Sequence, residues 1–228
     1  METQLLDGSL NPVNVARVIK HNRDFYAAHP GYFKPEGLLV FCGEQGSGKT
    51  LSAVQYVKRL CEEYPRAILC TNVEILGLPP DTQVVEYNGL DCLKSLENGY
   101  YGVIYLIDEI HLEFNSLESK NIDIEVMIEV SQQRKQRKHI IGTSQVYGRL
   151  AKPFREQIRN VVLCSNFCKI LQVNTLIDGS KSTEKDGHLI TDTVKRFYWF
   201  HRPELYDSYD TYAKMKRYKK EWQGRRIS

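Results

Sequence analysis

Nothing in this 228-residue chain approaches the roughly 18 consecutive apolar residues that a membrane-spanning helix needs. Its opening, Met1-Glu2-Thr3-Gln4-Leu5-Leu6-Asp7, lacks the basic and apolar regions of a secretory signal, so a cytoplasmic location is expected. Cysteine is present but unpatterned. Cys42, Cys61, Cys70, Cys92, Cys164 and Cys168 form no Cys-x-x-Cys pair and have no histidine at zinc-ligand spacing, which predicts reduced core thiols and excludes a disulfide framework. No internal repeat recurs, and no further domain boundary is visible beyond Arg202-Pro203.

The composition, 42% hydrophobic and 26% charged, suits one α/β domain able to bury a core. The net charge of +3 is small, but it is unevenly spread. Ser131 to Asn160 holds eight Lys or Arg against one acid, Glu156, and Thr211 to Ser228 holds seven against Glu221. Tyr212, Tyr218 and Trp222 interleave the second stretch. Such clusters suit a polyanion partner, and equally a solvated helix face followed by a basic tail.

The most informative stretch is Gly43-Glu44-Gln45-Gly46-Ser47-Gly48-Lys49-Thr50. It fits the phosphate-loop pattern of Gly, four residues and Gly-Lys-Thr, after the apolar run Leu38 to Phe41 and before a helical pattern. Glycines let successive N–H groups converge, and the following helix N-terminus adds partial positive charge where phosphates would sit. Lys49 is expected to reach the β and γ phosphates of a nucleotide, and Thr50 to ligate Mg²⁺.

A helix is predicted from Val13 to Ala28, closed by Pro30-Gly31. Beyond the loop, Val54, Val57, Leu60 and Cys61 recur at helical spacing, followed by short strands at Ala67–Cys70 and Val84–Tyr87 and a short helix from Leu90 to Glu97. Tyr101 to Asp108 reads as a strand buried on both faces of a parallel sheet. Its end, Asp108-Glu109, has the form of a Walker B element, in which Asp108 holds Mg²⁺ and Glu109 accepts a proton from the attacking water. The Asn-Lys-x-Asp motif of Ras-type GTPases and the Leu-Ser-Gly-Gly-Gln signature of ABC ATPases are both missing. ATP is therefore the expected nucleotide.

Ile122 to Val130 predicts a helix with Gln132 to Lys138 as its basic last turn. The next strand, His139 to Gln145, delivers Gln145 to the ligand-binding edge as a γ-phosphate sensor or as a solvated strand end. Val161–Cys164 and Lys169–Val173 predict a hairpin turning at Ser165-Asn166-Phe167, and Thr193–Phe200 another strand. The stretch Asp178 to Gly187 is read as a polar loop. The fold class is thus α/β, a P-loop NTPase whose mainly parallel sheet is flanked by helices and extended by antiparallel strands. The expected divisions are 1–36, an N-terminal helical extension; 37–210, the ATPase domain; and 211–228, a basic tail or the start of a further segment.

With these motifs placed, the chain resembles the FtsK-HerA branch of P-loop ATPases over roughly Gly37 to Tyr212. Gln132 to Lys138, Gly142 to Lys152 and Tyr206 to Tyr212 look like phage proteins of the zonula occludens toxin type and the DNA-packaging ATPases of small phages. The resemblance implies a homo-oligomeric ring, often of five or six subunits, that moves DNA through its central pore. The first reading built on it is a translocase that loads a viral genome as double-stranded DNA at a capsid portal, in the cytoplasm of a host cell, and the basic segments, which carry no base-reading motif, predict binding without sequence preference. It also implies roles for Lys49, Thr50, Asp108, Glu109 and Gln145 as above, and an arginine finger supplied by a neighbouring subunit. Arg134 is the first candidate, with Arg137 and Arg155 as alternatives. Other functions that fit are assembly or export of single-stranded phage DNA, a small-molecule kinase with a lid at Asp178, and a nucleotide-gated scaffold.

Overall fold

The computed structural model describes residues 12–34, 37–117, 124–179, 183–185, 188–190 and 193–210. The chain forms two compact units, Met1–Tyr32 and Phe33–Ser228. In the first, helix α1 (Pro12–Ala28) buries none of its residues. The basic stretch from Thr211 to Ser228 lies outside the described residues.

The second unit runs β1 (Leu38–Cys42), α2 (Lys49–Glu63), β2 (Ile68–Thr71), β3 (Glu74–Ile75), β4 (Val84–Glu86), α3 (Asp91–Ser95) and β5 (Val103–Ile107). It continues through α4 (Ile124–Gln132), β6 (Lys138–Ser144), α5 (Lys152–Arg155), β7 (Ile158–Phe167) and β8 (Leu171–Asp178). The last elements are β9 (Thr183–Lys185), β10 (His188–Ile190), β11 (Thr193–Phe200), α6 (Pro203–Tyr206) and β12 (Tyr209–Asp210). Eight strands form one sheet in the order β11-β8-β7-β1-β6-β5-β2-β4. The six from β7 to β4 are parallel, and β8 and β11 add antiparallel strands at one edge, as the sequence predicts.

Strands β1, β5 and β6 are buried along their whole length, which is why β1 and β5 read as unbroken apolar runs, while the buried polar ends of β6, Lys138, His139, Thr143 and Ser144, all find hydrogen-bond partners. Their side chains alternate between two cores. Leu39, Phe41, Ile104 and Leu106 pack with Ala53, Val54, Val57 and Cys61 of α2. Leu38, Val40, Tyr105 and Ile107 face Val126 and Val130 of α4 on the other side. Each fully buried Val or Leu is worth roughly 1.5–3 kcal/mol. The apolar stripe of α2 therefore fixes that helix on the sheet, and with it the glycine-rich loop at its N-terminus.

Four local expectations are corrected. The turn of the β7–β8 hairpin is Cys168-Lys169-Ile170, with Cys168 and Lys169 at φ of 52° and 55°; Ser165-Asn166-Phe167 still belongs to the strand. Part of the expected loop from Asp178 to Gly187 contributes β9, which pairs with β10. Helix α4 stops at Gln132, so Arg134 lies in the turns that follow it and not in a helical last turn. There Lys138 N–H donates to the Gln133 carbonyl (2.8 Å), and Arg137 adopts a left-handed φ of 55° that redirects the chain into β6. Cys168, finally, is exposed at the hairpin turn; Cys42, Cys61, Cys70 and Cys164 are buried as expected, and burial raises all four thiols, Cys61 to about 11.

His139, buried in β6, donates from Nδ1 to the Gly37 carbonyl (2.6 Å), so its Nε2 accepts from the Tyr56 hydroxyl (3.1 Å). Burial lowers its pKa to about 4, against a smaller opposing effect of the Gly37 hydrogen bond. The unfolded chain binds this proton near pH 6.5 while the folded chain refuses it, so His139 favours folding above pH 6.5 and loses that contribution as pH falls towards 4. Between pH 7.5 and 5 the native chain is expected to lose about 2 kcal/mol more than His139→Gln, read from urea unfolding. Parallel losses in the two proteins would show that His139 is not the group responsible.

Candidate nucleotide-binding site

The site grows out of the β1–α2 connection. Gly46 and Gly48 take φ of 81° and 83°, and Gly48 caps α2, so the loop turns back over the helix N-terminus. A β-carbon on Gly48 would lie 2.2 Å from Gln172 Oε1, and one on Gly43 would lie 2.4 Å from Ser47 Oγ. Packing therefore requires glycine at both positions, at Gly43 also because the Cys164 carbonyl would lie 2.7 Å from the added carbon, and at Gly48 chain direction requires it as well. Glu44 and Gln45 form the outer bend between them. Lys49 is 7% exposed and lies under the loop, and the buried Ser47 hydroxyl has no hydrogen-bond partner.

Strand β5 brings the acids to the same edge. Thr50 Oγ1 donates to Asp108 Oδ1 (3.0 Å), and Lys49 Nζ lies 3.9 Å from Glu109 Oε1. Glu109 adopts a left-handed φ of 56°, which ends the strand and turns its carboxylate towards the loop. Its Oε2 is 3.3 Å from His111 Nδ1, close enough for an ion pair but without hydrogen-bond geometry. Gln145, half-buried, follows the last residue of β6, whose carbonyl at Ser144 accepts from Gly43 N–H (3.3 Å). Lys49, Thr50, Asp108, Glu109 and Gln145 therefore lie at one edge, the C-terminal ends of β1, β5 and β6.

Several residues that hold this arrangement carried no expectation. Thr143 Oγ1 donates to Asp108 Oδ1 (2.6 Å) and accepts from the Glu109 N–H (2.9 Å), so one hydroxyl sets both acids. Asn72, just past β2, accepts from Asp108 N–H (2.8 Å) and donates to its carbonyl (3.1 Å). From the antiparallel side, Gln172 Nε2 donates to the Ser47 carbonyl and to Asn174 Oδ1, both at 3.0 Å, and Ser52 Oγ donates to Asn174 Oδ1 (3.2 Å). Asn166 Nδ2 donates to the Gly46 carbonyl. The available signal was Gln172 and Asn174 at period two, alternating with Leu171 and Val173: polar side chains on one buried face need partners.

Thr50 and Asp108 offer a hydroxyl and a carboxylate oxygen side by side, the hard donors that Mg²⁺ prefers, and leave its remaining positions to phosphate and water. No cluster of three or more His, Cys, Asp or Glu side chains suited to another metal occurs among the described residues. Tyr209 closes the site from the far side. Burial chiefly, then the nearby charges of Asp108 and Tyr206, holds its hydroxyl pKa above the ordinary range.

Arg134 is not part of this cluster. It is exposed beside Gly37 and Arg159 at the opposite edge of the sheet, where β1 begins. Arg137 is half-buried and donates to the Gly99 carbonyl (3.3 Å), while Arg155 lies 5.7 Å from the Tyr147 ring. Nor is Lys138 available to a polyanion: it is buried, bonded to the Leu93 carbonyl (2.7 Å) and to Glu129 (3.0 Å). Breaking a buried pair of this kind costs roughly 3–5 kcal/mol.

Fold and site together are those of a P-loop NTPase. No family model and no curated protein matches the chain. Among solved structures it is similar to the N-terminal domain of zonular occludens toxin from Neisseria meningitidis, with 18% identity, coverage of 76% of this chain and 98% of that one, and a TM-score of 0.53. Weaker likenesses link it to the genome-packaging NTPase B204 of Sulfolobus turreted icosahedral virus 2, solved with ATP-gammaS (14% identity, 57% and 75% coverage, TM-score 0.43), and to a further solved ATPase domain (11%, 82% and 95%, 0.47). At such identities the likeness is one of fold. No helix among the described residues is long and apolar enough to cross a membrane.

Proposed function

We propose that the chain is an ATP-driven DNA translocase that works as a homo-oligomeric ring on double-stranded DNA and loads a viral genome through a capsid portal. The observation that carries the ATPase part is the convergence of Lys49, Thr50, Asp108 and Glu109, with Thr50 and Asp108 in hydrogen-bond contact. Lys49 would take the β and γ phosphates. Thr50 and Asp108 would hold Mg²⁺, which neutralises charge on the phosphoryl oxygens when bound. Glu109 accepts the proton of the attacking water, and Gln145 reports the γ phosphate. A ring of five or six subunits would add an arginine from the neighbour.

The DNA part is supported by exposed cations, and by a sequence that carries no base-reading motif. Arg134, Lys135, Arg149, Lys152 and Arg159 are all exposed. Neutralising phosphates in this way gives affinity that is indifferent to sequence and steeply dependent on salt. ATP turnover is expected to rise with added duplex of any sequence, and duplex affinity to fall roughly 10³-fold or more between 50 and 200 mM salt if about six phosphates are contacted. Stimulation by single strands alone would point to single-stranded phage DNA assembly or export instead. A strong preference for one duplex sequence at fixed salt would refute the phosphate-contact reading, and phosphoryl transfer to a small acceptor without any DNA effect would make the chain a kinase.

A further inference from the structure

The strap from Arg202 to Asp210 has no part in the chemistry above, yet it lies across the phosphate loop. It leaves β11 at one edge of the sheet, packs α6 against α2, and ends in β12, which pairs antiparallel with β3. It carries Tyr206 and Tyr209, two of the tyrosines in the sequence Tyr-Asp-Ser-Tyr-Asp-Thr-Tyr. Between the strap and the phosphate loop is a cleft of about 260 Å³, whose far wall is Asn166, Lys169, His201, Tyr206 and Tyr209.

Strand order determines what this cleft faces. The catalytic acid and the phosphate sensor lie on β5 and β6, on one side of β1, while the β7–β8 hairpin and the strap lie on the other. A nucleotide whose γ end points to Glu109 must extend its nucleoside the opposite way, into the cleft. The Asn166, Gln172, His201 and Tyr206 groups there are already engaged with one another or with the backbone. Asn166 donates to Gly46 and accepts from the Lys169 N–H (3.3 Å). Gln172 Oε1 accepts from His201 Nε2 (3.0 Å), which leaves His201 Nδ1 and the Lys169 carbonyl (3.2 Å) as the two acceptors of the one Tyr206 hydroxyl proton. Apart from Lys169 and the Tyr209 hydroxyl, the cleft presents aromatic surface: Tyr206 is 45% exposed, set at 65° to the His201 ring with centroids 5.6 Å apart, and His201 is backed by Trp199 at 5.0 Å.

We infer that Tyr206, held in place by His201 and the hairpin turn, stacks on the base of the bound nucleotide, so that the site selects purine nucleoside triphosphates by ring face. This rests on the phosphate-site reading above. Stacking follows ring area, so larger purines gain more than pyrimidines, and the triphosphate moiety is untouched by the contact.

Calorimetric titration of the full chain with ATP, CTP and inorganic tripolyphosphate, each with Mg²⁺, tests the two readings separately. Tyr206→Ala is expected to weaken ATP binding roughly 10- to 100-fold, to narrow the advantage of ATP over CTP, and to leave tripolyphosphate within about twofold. Tyr206→Phe, which keeps the ring and loses the hydroxyl, should retain ATP affinity within about threefold. Equal weakening of ATP and tripolyphosphate in Tyr206→Ala would make the strap a support for the loop and overturn the inference, as would unchanged ATP affinity. A native chain that binds neither ATP nor tripolyphosphate would overturn the phosphate site itself.

Discussion

Glu109→Gln is expected to bind ATP at least as tightly as the native chain and to turn it over about 10²- to 10⁴-fold more slowly, the range that a positioned general base contributes. The geometry gives both halves of this result. The carboxylate lies 3.9 Å from Lys49 Nζ, so it competes with phosphate for the ammonium and adds like charge beside the γ end. The amide keeps the shape, removes the competing charge and cannot take the proton. Lys49→Ala is the contrasting variant: it removes the cation that holds the phosphates, so affinity itself is lost. Equilibrium binding of a nucleotide analogue, measured beside single-turnover hydrolysis, separates the two. If both variants lose affinity to the same extent, Glu109 is not the residue that activates water.

A thousandfold loss of turnover is likewise expected from Arg134→Ala in assembled rings, with the folded subunit scarcely altered. Arg134 sits at the start of the strands, and the phosphate loop at their ends, so in its own subunit it cannot reach the nucleotide. Across a head-to-tail interface the two edges can meet, because such an interface joins unlike surfaces of successive copies. Among the three candidates Arg134 is the exposed one, whereas Arg137 is engaged with Gly99 and Arg155 lies on Tyr147. Mixing Arg134→Ala with Glu109→Gln provides the decisive measurement. Each protein is defective, but an interface that takes its Glu109 from the first and its arginine from the second is intact, so activity should return in the mixture. Near-normal turnover by Arg134→Ala rings alone would move the finger to Arg137 or Arg155.

The sequence by itself determined the fold class and picked out Lys49, Thr50, Asp108 and Glu109, the residues that the proposed chemistry uses. A loop that needs two left-handed glycines before Lys49-Thr50, and a strand apolar on both faces ending at Asp108-Glu109, are local requirements, and local requirements are written in consecutive residues. The parallel sheet followed from the same logic, since strands covered on both faces must read as unbroken apolar runs. What tertiary structure alone decided is which distant residues meet. Thr143 is 35 residues from Asp108 yet sets its carboxylate, and Gln172 is 125 residues from Ser47 yet holds its carbonyl. Neither pairing has a sequence spacing to betray it, because strand order, not chain distance, makes these residues neighbours. The basic stretch from Ser131 to Asn160 shows the same thing in reverse. The seven residues of β6 span roughly 20 Å, so cations adjacent in sequence are separated by the sheet. Arg134 stays at one edge, Arg149 follows the other, and Lys138 is buried between Glu129 and the Leu93 carbonyl. Charge can be counted along a chain, but its direction is set only when the strands that carry it take their places in the sheet.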